Sequence, residues 1–476
     1  MDNISLQGIQ FVVGIILARL LSPSQFGLVG MITIFIAISQ TFIESGLSEA
    51  LIRKQDCDDL DYNTVFYFNL TVGIILFLVL FFLAPAISFF FNEPSLAVLI
   101  RVLGLVLIIS SLGIVQRAKL TKAIDIKTQT KVSIISNLSS GILAIALASW
   151  GFGVWSLIWR IILSNIFSII LLWIWSKWRP KKIFSKHSFN ELFSFGSKLL
   201  ASGLLNTIFE NIYYVVIGKV FSPQMLGYFS RAAAFADLPS TNINSVIQRV
   251  TYPVLATIQD DQTQLKSAFR RLIKSTTFIS FTLMIGMAVV AKPLILTLIG
   301  EKWRPSIPFL QLLCFSLMLY PLHSLNLNIL KVRGRSDLFL KLELIKKLLA
   351  IPVVFAGILF SIKMLIVFMI IHSWISFFLN SFYSGRLINY PLKEQIRDII
   401  PPLFVAATSA IIVYLAGRYV RIFPLGLLVF QSTLGIFIIM SISEIIKLDS
   451  YIGIKQQIRS QFRMILNSVR TKLAPR

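Results

Sequence analysis

Long apolar runs separated by short polar gaps are the feature that most constrains this 476-residue chain. A transmembrane helix needs about 20 consecutive, mostly apolar residues. A window of that length finds about fourteen such runs, at residues 4–21, 26–48, 64–91, 95–116, 130–150, 152–176, 192–221, 226–256, 268–299, 305–330, 341–361, 363–388, 399–420 and 422–446. No gap between them is long enough for an extramembrane domain. The sequence therefore predicts an all-α polytopic membrane protein with about 14 transmembrane helices.

The composition excludes most other classes of protein. Hydrophobic residues make up 56% of the chain and charged residues 14%, whereas about 25% charged residues is usual for soluble domains. Two distant cysteines, Cys57 and Cys314, provide no disulfide framework. The net charge of +24 is spread over the short gaps instead of forming a nucleic-acid-binding patch. We therefore expect no nucleic-acid partner, and the first 21 residues lack the basic segment of a cleavable signal peptide.

The placement of Lys and Arg predicts the orientation of the chain. Alternate loops and the C-terminal tail carry about 32 of the 45 Lys and Arg residues, and such loops stay in the cytoplasm under the positive-inside rule. This puts both termini in the cytoplasm, as an even number of spans requires. Residues 447–476 are basic, and their apolar spacing predicts an amphipathic helix at the membrane surface.

An internal repeat divides the predicted spans into two sets of six. The segment ARLLSPSQFGL at residues 18–28 aligns without gaps with GKVFSPQMLGY at residues 218–228. A second match and a weaker third match follow at similar offsets. An offset of six spans gives parallel repeats related by an axis along the membrane normal. We therefore predict an N-terminal lobe at residues 1–180, a second six-helix lobe at 189–390, two additional helices at 391–446 and the cytoplasmic tail at 447–476. The repeat also places the start of the first span before Met1, which predicts a shortened N-terminus.

Several segments resemble one transporter family over essentially the whole chain. They are GIQFVVGIILARLLSPSQFGLVGM, ESGLSEALIRKQD, ELFSFGSKLLASGLLNTIFENIYYVVIGK, GEKWRPSIPFLQLLC and LKVRGRSDLFLKLE. They are similar to the Wzx-type polysaccharide flippases (lipopolysaccharide, colanic-acid and teichuronic-acid type) of the multidrug/oligosaccharidyl-lipid/polysaccharide exporter superfamily. The resemblance implies two pseudo-symmetric lobes that alternate access to a central site.

The resemblance also implies a function and its partners. Family members flip undecaprenyl-pyrophosphate-linked oligosaccharides across the bacterial cytoplasmic membrane for lipopolysaccharide, exopolysaccharide or capsule biosynthesis. The expected partners are the polyprenyl-pyrophosphate-linked oligosaccharide, membrane lipids, and a polysaccharide polymerase with its assembly machinery. No enzymatic activity, cofactor or metal is expected, and the chain contains no P-loop, HExxH or CxxC motif.

Polar residues inside apolar spans are the best candidates for a substrate cavity, because a charge in the membrane interior usually faces the bundle or a wet cleft. Cations suit a pyrophosphate, and arginine matches phosphate geometry through its bidentate fork. The candidate cavity residues are Arg160, Lys198, Asn206, Glu210, Asn211, Arg231, Asp237 and Arg249. For each of them, hydrogen bonds or ion pairs between helices are the structural alternative.

Other polar residues fit narrower roles. Arg19 and Lys219 occupy equivalent ends of the two repeats, where they either meet the substrate or reach the membrane interface. Glu44, Glu210 and Asp237 are candidates for ion coupling, and Glu44 is also a candidate partner for Arg160. His323 and His372 favour hydrogen bonds to neighbouring helices over a proton-carrying role. The triplet Asp59-Leu60-Asp61 favours a solvated loop over a metal site.

Three alternative functions stay open at this point. A drug or cation antiporter of the same superfamily should favour intramembrane carboxylates over cations, and this chain has more interior Lys and Arg than Asp and Glu. A lipid II flippase would share the fold. A polysaccharide polymerase usually carries a long external loop, which this sequence lacks.

Overall fold

The computed structural model describes residues 2–44, 46–420, 422–456 and 459–460, with side chains from Leu6 onward. Within these ranges the chain is all-helical and contains no strand. The first nine helices are α1 Asp2–Leu20, α2 Pro23–Glu44, α3 Leu47–Arg53, α4 Asp59–Phe91, α5 Leu96–Ser111, α6 Ile114–Lys122, α7 Ile126–Ser149, α8 Val154–Trp175 and α9 Lys186–Val220. The others are α10 Pro223–Thr257, α11 Gln262–Leu298, α12 Ser306–Leu317, α13 Tyr320–Val332, α14 Ser336–Leu359, α15 Ile362–Leu387, α16 Leu392–Tyr419 and α17 Pro424–Ile445.

Each predicted span coincides with one helix or with two consecutive helices. In the described residues, 10 helices are long and apolar enough to cross a membrane when Pro23–Arg53 (α2 and α3) and Ser306–Val332 (α12 and α13) each count as one helix. The number rises to 11 when the bent pair α5–α6 is one span. The helices α1, α10 and α14 correspond to the other predicted spans but are not among these. The all-α polytopic fold is therefore confirmed, while the count of 14 stays a prediction.

The chain divides into two compact units, Met1–Ser230 and Arg231–Arg476. In the first unit, α7 packs along α8 and α1, while α2 packs against α9. In the second unit, α11 packs against α12, α16 and α17, and α15 packs against α12, α13 and α14. The predicted lobes at residues 1–180 and 189–390 stay a prediction.

Repeat-matched glycines meet where the first turns of α2 and α10 cross. A Cβ on Gly27 would lie 1.6 Å from the backbone oxygen of Pro223, and a Cβ on Gly227 would lie 1.8 Å from that of Pro23. Each glycine thus faces the proline of the other repeat. The matched Ser-Pro and Gly positions therefore form a reciprocal backbone crossing that only glycine fits.

The acidic segment before α4 begins a helix and forms ion pairs. Asp58 and Asp61 form a capping box at the start of α4, which begins five residues before the predicted span. The Asp61 side chain, 1% exposed, accepts a salt bridge of 2.9 Å from Lys54, which also contacts Glu191 at 3.0 Å. The hydrogen bond with Asp61 is the main reason that the pKa of Lys54 is raised. The prediction of a solvated loop is therefore wrong for Asp61.

In the second unit, a buried carboxylate joins α11 to α16. Asp398 accepts two hydrogen bonds from Arg270, of 2.5 and 2.8 Å, and one of 2.6 Å from the Tyr390 hydroxyl. Since a bidentate arginine–carboxylate pair is strong and directional, it fixes the relative register of the two helices. In the tail, residues 449–456 are helical, but most of the predicted amphipathic helix lies outside the described residues.

The glycine crossing predicts a specific sensitivity to a single methyl group. Gly27→Ala and Gly227→Ala should each lower the thermal unfolding midpoint of the detergent-purified protein, because the backbone must move and overpacking costs about 1–3 kcal/mol. Gly8→Ala is the matched control, since a Cβ there meets nothing within 4 Å. Equal midpoints for all three variants would contradict the crossing.

The two lysine–aspartate pairs at the start of α4 should differ in importance. Lys54→Met leaves the buried Asp61 carboxylate without its main counter-charge and should destabilise the protein by about 1–3 kcal/mol. Lys181→Met breaks the exposed 2.6 Å pair with Asp59 and should cost no more than about 1 kcal/mol. Chemical denaturation of both variants in detergent measures the difference, and a smaller loss for Lys54→Met would contradict the assignment.

Candidate functional site

A cavity of about 290 Å³ with a mixed polar and apolar lining lies within the first unit, among the end of α2, α3, α6 and α9. Its charged lining residues are Glu44, Glu49 and Arg117. Hydroxyl groups of Thr41, Ser48 and Thr121 also line it, and α9 contributes Leu199, Leu200 and Gly203. We call this space the α2–α9 cavity.

A break between α5 and α6 positions Arg117. The two helices bend by 42° at the break. The indole Nε1 of Trp173 in α8 donates a 2.9 Å hydrogen bond to the backbone oxygen of Leu112 in this break. This bond anchors the start of α6 on α8, so that the single helical turn after it carries Arg117 into the cavity.

The guanidinium group of Arg117 is available to a ligand. The side chain is exposed and has neither a salt bridge nor a hydrogen bond among the described residues. Glu44 and Glu49 line the same cavity and likewise form no salt bridge in the described part of the chain. Because arginine offers five donors in a planar fork, this group can bind a phosphate or carboxylate oxygen.

The junction of α2 and α3 forms the wall of the cavity at a second close glycine contact. Gly46 has a positive φ of 65°, and a Cβ there would lie 2.4 Å from the backbone oxygen of Gly196 in α9. Farther along the same interface, the hydroxyls of Thr41 and Thr207 lie 2.9 Å apart. These contacts hold α9 against the end of α2.

The predicted polar face of α9 is present in the structure. Asn206 and Glu210 are both exposed, as is Lys198 one turn from the cavity wall. Asn211 is half-buried, and its amide donates a 2.9 Å hydrogen bond to the Thr207 backbone oxygen of its own helix. Asn211 therefore differs from the exposed residues Asn206 and Glu210, because its amide is already hydrogen-bonded within α9.

Arg160 and the two repeat-end cations have different surroundings. Arg160 in α8 is half-buried and forms no salt bridge or hydrogen bond with any described residue, so Glu44 is not its partner here. Lys219 donates to the backbone oxygen of Phe90 and lies 4.9 Å from the centroid of its ring. Arg19 is exposed at the equivalent position. Lys219 thus has the local contacts expected of an interfacial lysine.

Three candidates lie in α10 of the second unit. Arg231 is half-buried, whereas Asp237 and Arg249 are exposed. We expected Pro239 to kink this helix, but α10 continues through it. The backbone oxygen of Asp237 accepts a 2.7 Å bond from the Thr241 hydroxyl.

Both intramembrane histidines have hydrogen-bond partners on neighbouring helices. His323 lies 3.2 Å from the Ser373 hydroxyl, and His372 lies 2.9 Å from the backbone oxygen of Lys346. Among the described residues, no group of three or more His, Cys, Asp or Glu side chains could hold a metal ion.

Sequence reasoning missed Arg117 because it counted this residue among the loop cations that set orientation. The predicted span ended at residue 116, and the break at Leu112–Gly113 could have indicated that the following residues form a separate helix. The two small polar groups of α2 and α9, Thr41 and Thr207, carried no charge signal and were also missed as a contact.

Comparisons with known proteins agree with this architecture. A family model described as "Polysaccharide biosynthesis protein" matches residues 16–308. Among curated proteins, the chain is 28% identical to the teichuronic acid biosynthesis protein TuaB of Bacillus subtilis over 382 residues, covering 79% of this chain and 78% of TuaB. It is 27% identical to the lipopolysaccharide biosynthesis protein WzxC of Escherichia coli, covering 72% of this chain and 70% of WzxC.

Solved structures show the same fold at low sequence identity. The lipid II flippase MurJ in an inward closed conformation matches with a TM-score of 0.78 and 16% identity, covering 94% of this chain and 98% of MurJ. An inward-facing multidrug transporter of the MATE family matches with a TM-score of 0.63 and 16% identity, covering 81% and 95%. These findings confirm the resemblance predicted from the sequence: this multi-pass membrane chain belongs to the polysaccharide biosynthesis protein family.

Proposed function

We propose that this chain is a flippase that moves polyprenyl-pyrophosphate-linked oligosaccharides from the inner to the outer leaflet of a bacterial cytoplasmic membrane. The observation that carries the proposal is membership of the polysaccharide biosynthesis protein family over residues 16–308. The relatives' names support it, since they include a succinoglycan biosynthesis transport protein of Rhizobium meliloti. The product of this transport would be surface polysaccharide.

The substrate explains why unpaired cations would lie among apolar helices. A pyrophosphate carries negative charge that must be stabilised as it leaves water, and arginine does so with charge-assisted hydrogen bonds. Arg160 has no protein partner among the described residues, and Arg117 forms no salt bridge there, with only the longer-range attraction of Glu44. Both observations support this role. The headgroup would pass these cations while the polyprenyl tail stays in lipid.

We propose alternating access as the mechanism, with Lys198, Glu210, Arg231, Asp237 and Arg249 as further cavity residues. Glu44 remains a candidate for ion coupling because it shares the α2–α9 cavity with Arg117. Asn206 and Asn211 are proposed as neutral contacts, and Arg19 and Lys219 as cations at the membrane interface.

The proposal includes a topology and a non-catalytic role. The excess of Lys and Arg in alternate loops supports cytoplasmic termini. The names of the relatives describe biosynthesis and transport, which supports a carrier that feeds a separate polymerase and its assembly machinery. No reaction on the sugar is assigned to this chain.

A drug or cation antiporter and a lipid II flippase are the alternatives within the same fold. The solved MATE and MurJ structures match at 16% identity, so they inform the fold and not the substrate. Resistance assays on an overexpressing strain test the antiporter. Rescue of cells depleted of their lipid II flippase tests the other alternative.

Complementation is the direct test of the proposed function. The chain should restore surface polysaccharide to a strain that lacks its Wzx-type flippase, and the parent strain should accumulate lipid-linked units on the cytoplasmic face. Unchanged polysaccharide output and unchanged accumulation on expression of the folded chain would contradict the proposal.

The charge of Arg160 should matter for transport. Arg160→Gln should lower polysaccharide output about tenfold or more, because a hydrogen bond to a charged group is worth about 1.5–3 kcal/mol, while Arg160→Lys should retain part of the output. The control is Arg335→Gln, since Arg335 is exposed and pairs with Asp337 at 2.7 Å. Equal output from Arg160→Gln and wild type, at equal protein amounts in the membrane, would contradict the role.

A further inference from the structure

A second cavity, of about 270 Å³ and with a mostly polar lining, lies between α7 and α8 in the first unit. We call it the α7–α8 cavity. Its lining is dominated by hydroxyl and amide side chains, namely Ser133, Ser136, Asn137, Ser164, Asn165 and Ser168. Arg117 lines both this cavity and the α2–α9 cavity. The volume lies just below the roughly 300–1,000 Å³ typical of ligand pockets.

Hydrogen bonding between helices does not account for these polar groups. The hydroxyls of Ser133, Ser164 and Ser168 have no hydrogen-bond partner among the described residues. The Asn165 amide donates a 2.9 Å bond to the Ile161 backbone oxygen, which leaves its Oδ1 available. Polar groups in transmembrane helices normally bond to neighbouring helices or face a wet cavity. These four groups therefore face the cavity.

One interhelical bond at the edge of the cavity does serve the packing. The Gln10 amide of α1 donates a 3.0 Å bond to Oδ1 of Asn137, whose own amide donates 2.9 Å to the Ser133 backbone oxygen. Asp125 caps α7 by accepting from the Thr128 backbone nitrogen at 3.0 Å, and the bonds to Thr128 hold the pKa of Asp125 below its usual value. The bond from Gln10 holds the lining residue Asn137 in place, and the cap fixes the start of α7.

The side chains that line the cavity suit a ligand with several hydroxyl groups and one attached anionic group. None of the described residues that line it carries a carboxylate, so a cation would find no charged ligand. Hydroxyl and amide groups both donate and accept hydrogen bonds, as sugar hydroxyls do. The guanidinium of Arg117, the charged group in this lining, matches a phosphate oxygen.

We infer that the α7–α8 cavity is a binding site for the ring of a glycosyl phosphate, with the sugar hydroxyls on Ser133, Ser164, Asn165 and Ser168 and the phosphate oxygen on Arg117. This inference rests on the proposed function, since such a unit is part of a lipid-linked oligosaccharide. The α2–α9 cavity on the other side of Arg117 leaves space for the remaining headgroup. The volume fits about one sugar ring.

Removing hydroxyls that line the cavity should impair export, whereas removing hydroxyls outside the cavity should leave export unchanged. The variant Ser133→Ala/Ser164→Ala/Ser168→Ala should lower polysaccharide output in the complemented strain about tenfold or more, because three hydrogen bonds to the sugar are lost. The matched control, Thr130→Ala/Ser139→Ala/Ser149→Ala, removes three hydroxyls from α7 outside the cavity. Membrane abundance and the thermal unfolding midpoint should match wild type in both triple variants.

A direct binding measurement needs no transport. In a Cys57→Ser/Cys314→Ser background, Ser164→Cys places one thiol in the cavity and Ser139→Cys places one outside it. Millimolar hexose 1-phosphates and N-acetylhexosamine 1-phosphates should slow maleimide labelling of the Ser164→Cys protein about tenfold at saturation, whereas methyl glycosides and inorganic phosphate should protect less. Adding Arg117→Gln should abolish the protection by the sugar phosphates.

The possible outcomes distinguish the sugar phosphate site from the proposed flippase function. Protection of the thiol without restored export would reject the flippase and keep the sugar phosphate site. Restored export, with an unprotected thiol and full output from the Ser133→Ala/Ser164→Ala/Ser168→Ala variant, would overturn the site and keep the flippase. Equal losses in the two triple variants would also overturn it, because the hydroxyls would then act through helix packing.

Discussion

The cost of keeping polar groups among apolar helices governs this structure. Wherever water is excluded, inside the protein or in the membrane, a charge or hydroxyl must find a protein partner or a wet cavity. Asp61 and Asp398 are buried and have cationic partners, Lys54 and Arg270. Arg160 has no such partner among the described residues, and Arg117 forms no salt bridge there, with only the longer-range attraction of Glu44. This contrast separates the groups that hold the helices together from those available to a substrate.

Backbone contacts explain how the same chain positions its cavities. Gly27 and Gly227 let the repeat-matched turns of α2 and α10 touch, and Gly46 lets the end of α2 touch α9. The broken pair α5–α6 then places Arg117 in the lining of both cavities. Small residues thus determine where helices approach, and the break determines where the cation is placed.

The fold was largely predictable, because apolar length and the Ser-Pro repeat are properties of the sequence alone. Every predicted span matched helices, and the matched glycines proved to be a contact. The site was less predictable. Arg117 was expected to be a loop cation and Asp61 a solvated loop carboxylate, because the sequence does not reveal a bend between helices or a salt bridge. Serines such as Ser164 carry no charge signal, and their shared cavity emerges only when α7 packs on α8.

Lipid flipping by the purified chain in liposomes is the most direct measurement of the proposed transport. Lipid-linked oligosaccharide from a flippase-deficient strain would be incorporated, and the fraction accessible to an external glycosidase would be followed over time. The protein should make the inner-leaflet pool accessible, and Arg117→Gln should slow this process. Accessibility identical to that of protein-free liposomes, with folded protein present in the bilayer, would contradict it.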